Sequence, residues 1–239
     1  MKKMKMLFFA CFIILPSINV SAQTLSQLID LHFDAVKQDK YNKLTTITTE
    51  SDIVIGKQKG TLTVIHKRQN KMRKEMKIAG NTTVTAYDGI HAWKQINKEK
   101  PQLITGSEFD EVKFQADMDG YFFCWREKDH KLTLLGEDKL SRKDVFKIKC
   151  EKENGDNADL YLDSKSYLLV RTVQRMNRAG KTVTTETDIS GYKKIDGIPF
   201  PRKYEIKSGD SVEIRNVRDI ILNKEVPDSV FTLPGQIEK

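Results

Sequence analysis

The chain has 239 residues, 38% of them hydrophobic and 31% charged, with a formal net charge of +8 and three cysteines. Apart from one short apolar run at its start, no stretch approaches membrane-spanning length, and no linker or low-complexity tract interrupts it. These bounds exclude a later membrane-spanning segment and leave room for one large β domain, preferred here over two small ones.

Residues 1–22 read as a signal peptide. Lys2, Lys3 and Lys5 form a positive start, Met6 to Leu15 is an apolar core, and Val20-Ser21-Ala22 fits the small-residue cleavage rule. Cleavage there makes Gln23 the first mature residue, so residues 23–239 form the expected domain. A rival reading, lipid attachment at Cys11, is opposed by the apolar stretch continuing through Ile13, Ile14 and Leu15. The leader holds three lysines and no acidic residue, so the remainder carries +5. Its charges interleave with strand residues, as in Arg73, Glu75 and Lys77, the pattern of a solvated sheet face. A basic balance suits anionic surfaces in general, but export and the lack of a recognisable motif argue against nucleic acid.

Residues 24–38 have helical spacing. Leu25, Leu28, Ile29, His32 and Val36 share one stripe, and Thr24 is placed to cap it. Strand periodicity follows near 44–55, 60–68, 71–78, 82–88 and 90–96, with Leu62, Val64, Met72, Met76, Ile78, Val84 and Ala86 alternating. Gln69-Asn70, Gly80-Asn81 and Asp88-Gly89 are the expected turns. Residues 107–118 break the rhythm, since Phe109, Val112 and Ala116 are three and four apart and predict a second helix. The aromatic run Tyr121-Phe122-Phe123-Cys124-Trp125 follows it. Strands resume at 131–135, 144–151, 158–162, 168–176, 182–189, 202–207 and 211–220. About a dozen strands and two or three helices predict a mainly β (α+β) fold, an antiparallel sheet curled into a partial barrel with helices over its mouth.

Cys124 and Cys150 remain after processing, and an exported chain can join such a pair. Cys150 also continues the apolar face of Phe146 and Ile148, where a free thiol packs well, so both readings stand. The four histidines, His32, His66, His91 and His130, show no metal-ligand spacing. No nucleophile elbow or phosphate-binding glycine loop is present, so no catalytic residue, metal or cofactor is expected, and no enzyme.

Several segments resemble the LolA/LolB lipoprotein-carrier family, above all the LolA-like outer membrane lipoprotein-sorting proteins. They are Lys67-Arg68-Gln69-Asn70-Lys71-Met72-Arg73, Tyr87-Asp88-Gly89 with Trp93, Asp196-Gly197-Ile198-Pro199-Phe200-Pro201, and Val226 to Pro234. The resemblance spans nearly all of residues 23–239. It implies an incomplete antiparallel β-barrel (a half-barrel sheet) under a helical lid, enclosing a hydrophobic cavity for acyl chains. It implies a monomeric periplasmic chaperone for lipoprotein transport, binding acylated lipoproteins or lipids between a membrane-bound donor complex and an outer-membrane acceptor. The family's lid-latching arginine falls on Arg68, with Gln69 in place of its proline.

On this basis the acyl cavity is expected to be lined by Leu62, Val64, Met72, Met76, Ile78 and Trp93, with Phe109, Val112, Phe122 and Phe123 from the covering segment. Methionines suit such a site because they repack easily. Alternatives stay open: a filled core instead of a cavity, Arg68 as an exposed turn residue, Trp93 as core, and a sensor or regulatory module on the same scaffold.

Overall fold

The computed structural model describes residues 23–178 and 180–235; the signal peptide expected over 1–22 lies outside them. Helix α1 (Leu25–Val36) starts where Thr24 and Gln27 form a reciprocal capping box, which satisfies two otherwise unpaired backbone donors. It buries Leu28, Ile29 and His32. The helix expected over 24–38 is interrupted at Lys37, whose left-handed backbone (φ 56°) starts a separate turn, α2 (Gln38–Tyr41).

The first sheet half contains β1 (Thr46–Ile55), β2 (Gln58–Lys67), β3 (Lys71–Ile78), β4 (Asn81–Tyr87), β5 (Ala92–Ile96) and β6 (Gln102–Ile104). Helix α3 (Gly106–Ala116) and a run of turns from Met118 to Asp129 follow. The chain then forms β7 (Lys131–Leu140), β8 (Lys143–Glu151), β9 (Asn157–Asp163), β10 (Leu169–Arg178) and β11 (Lys181–Ser190). A small hairpin of β12 (Lys193–Ile195) and β13 (Ile198–Phe200) leads into β14 (Lys203–Ser208) and β15 (Ser211–Leu222).

Turn chemistry sets the register. Gln69 and Asn70 both have positive φ (62° and 59°), the pair that a two-residue turn matching the right-handed strand twist requires. A proline at 69 could not adopt it, because its ring holds φ near −65°. The next turn falls on Ala79-Gly80, one residue earlier than the sequence suggested, with Asn81 already paired to Ile78. Asp88-Gly89 opens a four-residue loop rather than a tight hairpin, because the Asp88 carboxylate accepts from the Ile90 and His91 N–H groups.

Thirteen strands form one antiparallel sheet in the order β6-β5-β4-β3-β2-β1-β15-β14-β11-β10-β9-β8-β7, so the first and last strands pair at its centre. The sheet is open, not closed into a barrel. Bulges at Glu50/Ser51 against β15 and at Leu134/Gly136 against β8 add local bend. At Gly60 a Cβ would lie 2.2 Å from the Lys77 carbonyl oxygen, so β2 and β3 approach there as only glycine allows. No described helix is long and apolar enough to cross a membrane.

Candidate functional site

Three apolar clusters occupy the concave side of the sheet. Helix α1 and Phe122 pack on β7, β8 and β9 through Leu132, Ile148, Leu160 and Leu162. Helix α3 packs on the first sheet half through Val112 and Ala116 against Leu62, Met72 and Tyr87. Between these, Leu44, Ile47, Met118, Ile198, Phe200 and Ile220 form a third group. A hollow of about 700 Å³ remains among them, walled by residues of β1, β2, β3, β10, β11, β14 and β15 and by all three helices. That size lies within the range of small-ligand sites.

Val64 and Met72 line this hollow. Leu62, Met76, Ile78, Phe109 and Val112 do not; they belong to the packed group beneath α3, where Phe109 meets Tyr87 edge-on at 5.8 Å. The helix covers β3 and β5 so closely that this end is core. Phe122 is likewise core, its ring 4.7 Å from that of His32, and Phe123 lies against Phe33 at 6.2 Å. Trp93 is on the opposite face of the sheet. It stacks with Val84, Ala86 and Leu233, and its indole N–H donates to the Phe231 carbonyl at 2.8 Å. Strand alternation explains this: Ala92 and Tyr87 face inward, so Trp93 and its cross-strand partner Ala86 must face out.

Arg68, just past β2, reaches three elements at once. It donates to the Leu44 carbonyl at 3.1 Å, to the Tyr41 carbonyl at 3.2 Å and to the Asp119 carboxylate at 2.5 Å. The guanidinium thus ties the sheet end to α2 and to the segment after α3, a strong arrangement because the fork geometry matches several acceptors.

Part of the wall is polar and carries no motif in the sequence. Lys74, Gln115, Glu111, Glu213, Arg215 and Gln174 all face the hollow. Lys74 donates to the Gln115 side chain at 2.9 Å, and His66 Nε2–H donates to the Gln115 carbonyl at 2.9 Å. Gln115 in turn donates to Glu111, which Arg178 of β10 also contacts across the mouth. These bonds fasten α3 to both sides of the curled sheet. Burial lowers the pKa values of Lys74 and His66, with Arg215 the next contribution at Lys74. His32, whose Nδ1–H donates to the Tyr167 carbonyl at 2.8 Å, is lowered by burial as well. Lys74 was visible in the sequence as the one break in the inward series Met72, Met76, Ile78.

Cys124 is exposed and Cys150 is buried in the α1 cluster, and both are free. Burial pushes the Cys150 thiol up to about 11, the behaviour of an inert packed cysteine.

No protein-family model matches the chain, and no curated protein does either. Among solved structures, a LolA superfamily protein from Nitrosomonas europaea superposes with a TM-score of 0.60 at 12% identity, covering 88% of this chain and 98% of that one. A DUF1329 family protein from Desulfovibrio piger gives 0.58 at 15% identity, with 87% and 96% covered. A Vibrio parahaemolyticus domain described as an outer membrane lipoprotein-sorting protein gives 0.54 at 11% identity, with 85% and 95% covered. At these identities the likeness shows the fold, and that fold is LolA-like.

Proposed function

We propose that this LolA-like chain is a periplasmic carrier that binds the acyl chains of lipoproteins or lipids in the hollow between its sheet and its helices. In this reading residues 1–22 direct export and residues 23–239 act as one domain. The carrier takes cargo from a membrane-bound donor and releases it to an acceptor at the outer membrane. The observation that carries the reading is a sizeable hollow left open between the packed ends under α1 and α3.

An acyl chain offers no hydrogen bonds, so its affinity comes from removing methylenes from water. A dozen buried methylenes give about 10 kcal/mol gross, and the lost freedom of association removes at least about 4 kcal/mol of that. The remainder corresponds to reversible binding, as handing over cargo demands. The cover is suited to release, because α3 and the segment after it are held by side-chain contacts such as Glu111–Arg178 and Arg68–Asp119 rather than by a strand ladder.

Delipidated protein titrated with a fluorescent fatty acid and with a diacylated peptide tests this. Saturable uptake of both is expected, with Arg68→Leu releasing the probe several-fold faster because the latch to Asp119 and α2 is lost. Absence of any saturable uptake by the wild type would remove the carrier reading.

A further inference from the structure

The polar part of the wall has a charge pattern that a neutral acyl chain does not use. Among the described residues, each carboxylate at the hollow has an arginine of its own. Glu213 accepts from Arg215 through Nε at 3.0 Å and Nη2 at 2.7 Å, Glu111 is contacted by Arg178, and Asp119 by Arg68. Lys74 is left as one positive charge in excess: its ammonium is bonded to the neutral amide of Gln115, and Glu111 and Glu213, the carboxylates that act on it, are each already contacted by an arginine. A cation removed from water without a counter-charge is costly. Arg215 also faces the hollow, and both of its donations to Glu213 fall on a single oxygen, Oε1. On the same side, apolar residues Val64, Met72, Ile47 and Ile220 run away from this polar patch.

We infer that the hollow takes a single-chain anionic amphiphile, a free long-chain fatty acid, with its carboxylate at Lys74 and Arg215 and its tail along Val64, Met72 and Ile47. The inference rests on the acyl-binding reading and narrows it. An acyl group joined through an ester or amide brings no charge and would leave Lys74 without its counter-ion. One carboxylate supplies the single negative charge that the wall lacks, and its two oxygens can accept from the ammonium and from the guanidinium together. Burial against Lys74 raises the worth of that contact, because a low local dielectric strengthens it.

The test is displacement of a neutral fluorescent acyl probe by palmitate, hexadecanol and hexadecyl phosphate, which share a sixteen-carbon chain but differ in head group. The wild type should prefer palmitate over hexadecanol by about tenfold or more. Lys74→Met, which keeps the length of the side chain and drops the charge, should bring the two within about twofold. Lys74→Arg should keep the preference. Equal affinity of wild type for palmitate and hexadecanol overturns the inference and leaves the acyl-binding reading intact, whatever the variants do. Persistence of the preference in Lys74→Met also overturns it, and tighter binding of hexadecyl phosphate than of palmitate would assign the patch to a phosphoryl head group instead. If neither the probe nor any of the three amphiphiles binds wild-type protein, both readings fall together.

Discussion

His32 and His66 are held neutral inside the molecule, each with one ring N–H donating to a backbone carbonyl. Burial lowers both pKa values, so the unfolded chain binds protons that the folded one refuses once the pH falls below about 6.5, the ordinary imidazole value. Stability from this source is therefore complete above that pH and declines below it, by up to about 1.4 kcal/mol per histidine per pH unit. Urea denaturation at pH 7.5 and pH 5.5 should show the loss, and a His32→Gln, His66→Gln variant should show a smaller one; an unchanged pH dependence in that variant would contradict the assignment. The burial of His32 was legible from its place on the apolar stripe of the first helix, but the carbonyl partners of the two histidines lie far off in the chain and were not. Trp93 shows the same limit differently. The resemblance put it on a cavity wall, with core packing as the alternative, but its face is set by pairing with Ala86, and the partner that fixes it, Phe231, is far away in the chain. Arg68 was singled out through the family resemblance, with an exposed turn residue as the alternative; in the fold it reaches Tyr41 and Asp119.

At the level of elements the strands were readable and their joints less so. Inward alternation in Leu62, Val64 and Met72 is a period that only a half-buried strand gives, and it holds in β2 and β3. The short β6 and the β12–β13 hairpin were missed because three residues carry no period. Turns depend on backbone conformation rather than on residue type, which is why the β3–β4 turn falls on Ala79-Gly80. Two substitutions test this placement. Ala79→Gly should raise stability by about 0.5–1 kcal/mol, since alanine at φ 50° carries a steric cost that glycine lacks. Gln69→Pro should lower it by about 2 kcal/mol or more, because the ring cannot reach φ 62°. Thermal or urea unfolding measures both, and a neutral Gln69→Pro would mean that the β2–β3 turn is built otherwise.

For the whole molecule, the open antiparallel sheet with helices over its concave face was legible from strand count, turn spacing and the two helical stretches. Whether that face encloses a hollow was not, because apolar alternation is identical for a lined cavity and a filled core. The outcome is mixed. The ends under α1 and α3 are packed, and the space lies between them, under Met118 and beside Lys74 and Arg215. Glu111 and Met176 line both this hollow and an outer cleft of about 520 Å³ alongside α3, so the Glu111–Arg178 contact stands where the two meet. On the proposed carrier reading this contact is a closure held by charges instead of by a backbone ladder. Native mass spectrometry of the full chain, purified from its own envelope without harsh detergent, bears most directly on this. The account predicts a population heavier than the bare polypeptide by the mass of an acyl-bearing molecule, released as bare protein on gentle activation. A single species at the bare polypeptide mass, unchanged after incubation with fatty acid or acylated peptide, would contradict it.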